Sequence, residues 1–310
     1  MIRLLRRAVL VLIIAAFSGA APARAVQVGI ADENVQVFSD QRFLDARFPV
    51  VRHSIPWNVL THPDQTAELD RYLEAARFAK VRPLLTFNQT RGDDSRALPT
   101  PAMIGRQFRA LRKRYPWVTE YAAWNEANYR PQRTANRPGL VVSYYRTMQR
   151  ACPSCTILAA EVLDGRNMAA WVKTFERLAR PTQGRRPRPI WGLHNYIDAN
   201  RFRTSGTRAL LKATKGSIWI TESGGIVRRT SPTKTPLPEG PSHAKRATAW
   251  LFDKLVPLSS RIRRVYVYQW NAPPNASWDS ALIDGAGGSR PALKVVLDAL
   301  ARSRGAAHAK

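Results

Sequence analysis

The chain is poor in cysteine, in acidic residues and in long apolar runs, and each shortage closes a class of function. Two cysteines among 310 residues are too few for a disulfide-rich scaffold or a four-thiolate zinc site. Neither a G-x-G-x-x-G turn nor a phosphate loop occurs, so there is no nucleotide-binding signature. Beyond the first 25 residues no apolar run is long enough to span a bilayer. Asp and Glu number 22 against 49 Lys and Arg. So large a positive excess suits a polyanionic partner. The arginines are nevertheless spread through every segment, with no zinc-finger spacing and no aromatic RNA-binding signature. That favours a solvated basic surface over a nucleic-acid site.

The N-terminus has a basic front (Arg3, Arg6, Arg7), an apolar run from Ala8 to Phe17 and small residues ending in Ala23-Arg24-Ala25. This is the pattern of a secretory signal over residues 1–25. An uncleaved anchor is the alternative, against which the shortness of the run argues. Without the signal, 45 basic residues face 22 acidic ones, a net charge of +23. A secreted or envelope location makes a disulfide the natural reading of Cys152-Pro-Ser-Cys155. A redox motif or half of a zinc site are the other readings of C-x-x-C, and no second pair completes four ligands. One domain is expected over residues 26–304, with a disordered tail over 305–310.

Strand candidates alternate with helical patterns along this domain, which implies a parallel sheet with crossover helices. The strands are expected at Val26 to Ala31, Val50 to Ile55, Arg82 to Asn88, Glu120 to Asn125, Thr156 to Glu161, Ile190 to Tyr196, Ile218 to Thr221 and Val265 to Trp270. Their interiors are rich in Val, Ile, Leu, Trp and Tyr, as strands buried on both faces require. Among the helical segments, Thr66 to Lys80 sets Leu69, Tyr72, Leu73 and Ala76 on one face. Eight such pairs in order are the count of a single-domain (β/α)8 TIM barrel. An open doubly wound sheet is the structural alternative.

A barrel of this kind carries its active site at the C-terminal ends of the strands. By that rule the candidates are Arg52, Asn88, Asn125, Glu126, Glu161, His194, Tyr196, Glu222 and Trp270. Two of them are glutamates that end an apolar run without a spacer, Glu126 in V-T-E-Y-A-A-W-N-E-A-N and Glu222 in S-I-W-I-T-E-S-G-G. Carboxylates at matching strand ends make a paired acid and base. As bland alternatives, both glutamates could sit at helix N-termini, and Asn125 could cap the following helix. His194 could be a satisfied core histidine, and Tyr196 and Trp270 mere packing.

Taken together, R-H-S at the second strand, W-N-E-A-N at the fourth, H-N-Y at the sixth, T-E-S-G-G at the seventh and Q-W-N at the eighth resemble clan A of the glycoside hydrolases. The resemblance is nearest to families 39 and 5, and it covers almost the whole chain after the signal. It implies a secreted retaining glycosidase with no metal or cofactor, a carbohydrate as partner, and a monomer. It casts Glu126 as general acid/base and Glu222 as nucleophile. Arg52 and Tyr196 would keep the nucleophile charged and oriented. Asn125 would bind the sugar 2-hydroxyl, His194 would hydrogen-bond near the acid/base, and Trp270 would form an aromatic floor under the sugar. Glu161 matches no such position and is expected to be a core or rim acid. Two departures are Ala127, where many relatives have proline, and Ser223, where an aromatic often follows the nucleophile.

The loops after the two glutamates carry Arg130, Arg133 and Arg137, and Arg228, Arg229 and Lys234. Guanidinium groups bind carboxylates by paired hydrogen bonds, so these loops suggest an anionic substrate; a solvated loop explains them equally well. Trp278 is a candidate for stacking on a sugar at the rim. A carbohydrate-binding barrel without turnover, and a basic polyanion-binding protein of the envelope, are the competing functions.

Overall fold

The computed structural model of the protein describes residues 25–91, 97–180, 188–230 and 236–308. The expected signal therefore lies outside the described residues except for Ala25, and Lys234 lies outside them too. Among the described residues no helix is long and apolar enough to cross a membrane.

Eight parallel strands close a barrel in chain order: β1 (Gln27–Ala31), β2 (Val50–Pro56), β3 (Arg82–Asn88), β4 (Glu120–Ala122), β5 (Thr156–Leu163), β6 (Ile190–His194), β7 (Ile218–Ser223) and β9 (Ile262–Tyr268). Closure is made by β9, which pairs with β1 from Gln27↔Arg264 to Ala31↔Tyr268. The barrel is thus closed, and the open sheet is excluded. Beyond the ends of β7 and β9 a two-residue ribbon pairs β8 (Arg228–Arg229) with β10 (Trp278–Asp279).

Around the barrel run α1 (Gln41–Ala46), α2 (Pro63–Phe78), α3 (Pro101–Arg114), α4 (Pro138–Ala151), α5 (Met168–Leu178), α6 (Tyr196–Asn200), α7 (Ser205–Ala213), α8 (Pro241–Trp250) and α9 (Pro291–His308). Proline at the first turn sets where α2, α3, α4 and α8 begin, because a residue there needs no backbone N–H. Before α3, the Thr100 hydroxyl accepts the Met103 N–H at 3.2 Å and so caps the helix. In α2 the buried residues are Leu69, Tyr72, Leu73 and Ala76, the face read from the periodicity. The last helix runs to His308, past the boundary at 304 where a tail was expected.

Inside the barrel, Ala31, Val50, Leu84, Ala122, Leu158, Trp219 and Tyr266 fill the middle layer. Below them Arg264 pairs with Glu120, stacks on Trp219 with its guanidinium carbon 3.7 Å from the ring centre, and shares Glu120 with Arg82. This plug sits at the N-terminal ends of the strands, the end of such barrels that serves stability. The Cys152–Cys155 disulfide lies at the same end, after α4, with the Cα atoms 5.4 Å apart. Above the middle layer the inward side chains turn polar, beginning with Arg52 and Thr86, both two residues beyond inward Val50 and Leu84.

Candidate active site

Arg52 organises the upper layer. It is fully buried, and burial alone would weaken its charge, but Glu161 and Glu222 hold its pKa well above the ordinary value. Its Nε donates to Glu161 Oε1 at 2.9 Å and its Nη2 to Glu161 Oε2 at 2.5 Å. The remaining donors reach Glu222 Oε2 at 2.9 Å and Asn125 Oδ1 at 2.8 Å. Arg52 therefore ties β2 to the ends of β4, β5 and β7 in one network, as the fork geometry of arginine permits.

Glu222 ends β7 and also accepts the Tyr196 hydroxyl on Oε1 at 3.0 Å. Alternation from inward Trp219 would aim Glu222 outward. The register with β6 slips between Leu193↔Ile220 and His194↔Glu222, and this irregularity turns the carboxylate into the barrel mouth, a use that strand bulges often have. Tyr196 belongs to α6 instead of the sixth strand, yet its hydroxyl takes the place expected of it.

Glu126 follows β4 in an irregular segment. Its φ of 44° puts a non-glycine residue in the left-handed region, a strained conformation that clusters at functional sites. The segment is braced on both sides: Asn125 N–H donates to Phe87 O at 2.7 Å and Ala127 N–H to Glu161 O at 2.8 Å. Asn128 locks it to β5 by donating to Leu163 O at 3.0 Å and accepting from Leu163 N–H at 2.8 Å. The next helical turn is a 3-10 turn at Arg130–Gln132 whose N-cap is Tyr129, and the next α-helix begins at Pro138, so Asn125 caps no helix and Glu126 is not a helix-terminal carboxylate.

His194, fully buried at the end of β6, joins the two acids. Its Nδ1 stands 3.0 Å from Glu126 Oε1 and 3.7 Å from Glu222 Oε2. Its Nε2 is 3.3 Å from Glu161 Oε2, an ion-pair distance without hydrogen-bond alignment. Burial pushes the imidazole pKa down, but the Glu222 charge, Glu126 and Glu161 outweigh it and raise it to about 10. Glu161 shows the same contest: burial would raise its pKa, while Arg52 and His194 bring it down to about 2.

The structure thus brings together Arg52, Asn125, Glu126, His194, Tyr196 and Glu222, and adds Glu161 at their centre. Asn88 stays on the rim, donating to Ser54 Oγ at 3.1 Å. Trp270 does not join them. Its ring is fully buried between Phe43 and Phe48, at centroid distances of 5.4 and 5.9 Å, and its Nε1 donates to Asp40 Oδ2 at 3.0 Å. The expected floor is a core residue, because β9 ends at Tyr268 and its alternation stops there. Trp270→Ala should therefore cost about 3–5 kcal/mol of stability, read by denaturant unfolding. A raised KM with stability intact would contradict this placement.

Tyr268 and Glu33 enter the mouth instead, lining a cleft of about 590 Å³ with His53, Asn271 and Trp278. Tyr268 follows inward Tyr266 by two residues, a signal the sequence carried. Glu33 directly follows Asp32 after β1, where the strand-end rule also applied. Burial, opposed by Arg52 and reinforced by Glu222, raises its pKa to about 8. Trp278 meets Tyr196 edge to face at 4.8 Å. Arg228 donates to Pro274 O at 3.1 Å, and Arg229 to Glu239 Oε1 at 3.1 Å and Leu237 O at 3.2 Å. These two arginines brace the rim, whereas Arg130, Arg133 and Arg137 are exposed on the loop after Glu126.

Donor atoms of Glu126, His194 and Glu222 lie within 4.8 Å of one another, compact enough for a metal. They do not fit one: Nδ1 is engaged with Glu126, and Glu222 is held by the Arg52 cation and Tyr196.

No family model matches the sequence, and no curated protein does. Solved structures do match. An intracellular xylanase from Thermoanaerobacterium saccharolyticum superposes with a TM-score of 0.60 at 15% identity, over 88% of this chain and 95% of that one. An endo-beta-1,4-glucanase from Xanthomonas axonopodis pv. citri gives 0.59 at 12% identity, over 89% and 99%. A family 39 glycoside hydrolase from Bacteroides cellulosilyticus gives 0.53 at 13% identity, over 90% of this chain and 64% of that one. At these identities the likeness is one of fold, the closed (β/α)8 barrel.

Proposed function

We propose that the protein is a secreted, retaining glycoside hydrolase that cleaves O-glycosidic bonds by double displacement. The observation that carries this reading is the pair of carboxylates meeting across one imidazole nitrogen, with donor oxygens of Glu126 and Glu222 inside 4.8 Å of each other. Retaining enzymes hold their two carboxyl groups about 5–5.5 Å apart, whereas inverting ones leave about 6.5–9.5 Å for a water.

Glu222 is the nucleophile. Arg52 and Tyr196 hold and aim it by hydrogen bonds to its two oxygens, and the bond it makes to the anomeric carbon replaces the glycosidic bond. Glu126 protonates the leaving oxygen, then takes a proton from the water that releases the sugar. The fold likeness to a xylanase and a glucanase supports a carbohydrate substrate. The cleft past Glu33 and Tyr268 offers room for further sugar units, with the Glu33 carboxyl and the Tyr268 hydroxyl to bind them. Arg130 and Arg137, exposed on the loop after Glu126, would favour an anionic substrate.

The stereochemical course tests the reading. Proton NMR of the first product released from an aryl glycoside should show the anomer of the substrate. Initial release of the opposite anomer would show that a water, and not Glu222, attacks first.

A further inference from the structure

Glu161 is a buried acid at the centre of the site for which the double displacement as described has no task. Three features of the chain are spent on placing it. The register between β5 and β6 shifts between Leu158 and Glu161. Leu158 faces the barrel interior while Ala159, Ala160 and Val162 pack in the outer core, so the irregularity is what turns Glu161 inward. On β6 a Cβ at Gly192 would fall 2.5 Å from Glu161 Cγ, so only glycine leaves room. On β3 the Thr86 hydroxyl donates to Glu161 Oε1 at 2.9 Å.

The charged groups facing it are Arg52 on β2, His194 on β6, and, beyond them, Glu126 and Glu222. His194 is thus surrounded by three carboxylates, and two of them change during the reaction. Glu222 loses its charge when it becomes an ester, and Glu126 gives up and regains a proton. Glu161 is the anion that persists.

We infer that Glu161 is a positioning residue that holds His194 as an imidazolium and Arg52 in line with Glu222, so that the proton delivered to the leaving group is shared between Glu126 and His194. This rests on the glycosidase reading. As the glycosidic bond breaks, Glu126 gives a proton to the leaving oxygen and recovers one from His194 Nδ1. In the second half, water adds to the anomeric carbon as the ester bond to Glu222 breaks and frees its carboxylate; Glu126 takes the water's proton while returning its own to His194 Nδ1, and the His194–Glu126 pair is restored.

Nitrogen NMR of ¹⁵N-histidine-labelled protein reads this without any substrate, with His194→Asn assigning the signal. Wild-type His194 should remain imidazolium at pH 8. In Glu161→Gln its titration should move down by about one pH unit or more, since a neutral amide no longer favours the charged form. A neutral His194 in the wild type overturns the inference, and that measurement needs no variant to fold; so does an unchanged titration in folded Glu161→Gln. Kinetics then show whether the device serves the reaction. On methylumbelliferyl glycosides Glu161→Gln should lose ~10-fold or more, within the range of acid/base assistance, with the basic limb of its pH profile moved down. On the dinitrophenyl counterparts, whose leaving group needs no proton, the loss should shrink. Equal losses on both, with the basic limb unmoved, would reduce Glu161 to an anchor for Arg52 and overturn its proton role. If the wild type cleaves none of these glycosides while His194 responds as expected, the hydrolase reading falls and the charge assignment stands.

Discussion

Glu222→Ala is expected to lower kcat on activated aryl glycosides by at least ~10⁴-fold, the scale on which removing a covalent nucleophile acts. The fold should survive. Arg52 keeps both its bonds to Glu161, at 2.9 and 2.5 Å, and its bond to Asn125, so the substitution leaves no bare buried cation. That retained cation makes a second expectation. The space vacated by the carboxylate lies between the Arg52 guanidinium and the Tyr196 hydroxyl, both within 3.0 Å of the oxygens they have lost. A small anion fits such a space, and azide or formate should restore part of the rate. The product of azide rescue should be the glycosyl azide of inverted configuration, since the anion attacks from the side where Glu222 stood. Failure of rescue together with near-normal activity in the unassisted variant would mean that Glu222 only balances the charge of Arg52.

How much of this could be read from the sequence is decided strand by strand. Where a strand keeps strict alternation, its end can be read: Val50 to Arg52 is a two-residue step from the apolar layer to the polar one, whereas on the third strand the end-rule named Asn88 and the inward polar residue is Thr86. The helical face of Leu69, Tyr72, Leu73 and Ala76, read from a 3.6-residue period, was equally legible. What sequence could not show were the register shifts. They turn Glu161 and Glu222 inward against alternation, and nothing in A-A-E-V or T-E-S marks them. Glu222 was found because it ends an apolar run, whereas Glu161 was set aside as a core or rim acid because it matched no position of the resemblance. Its partner is Arg52, 109 residues away in the chain. Trp270 failed for the opposite reason: an aromatic near a strand end was carried past the point where the strand stops. Tyr268, two residues from inward Tyr266, was the aromatic that alternation supported.

The second large effect belongs to Glu126, and its signature differs from that of Glu222. Glu126→Ala should cost about 10²–10⁴-fold on glycosides whose leaving group must be protonated, and far less on dinitrophenyl glycosides, which leave as stable anions. With the latter, formation of the glycosyl-enzyme proceeds without an acid, but its hydrolysis still lacks a base, so the intermediate accumulates and a burst precedes slow turnover. Azide needs no base to attack. It should therefore accelerate turnover and give the glycosyl azide of retained configuration, the reverse of the outcome for Glu222→Ala. The two variants together separate the roles, because one product stereochemistry belongs to each face of the sugar. A complication is built into the site: His194 Nδ1 stands 3.0 Å from Glu126 and 3.7 Å from Glu222, so loss of Glu126 leaves Glu222 as the carboxylate beside that nitrogen. Glu126→Gln keeps the hydrogen-bonding shape without the proton and controls for this. If Gln and Ala fall alike on poor leaving groups and recover alike on good ones, Glu126 acts as the acid. If only Ala falls, its work is to position His194, and the proton must come from elsewhere.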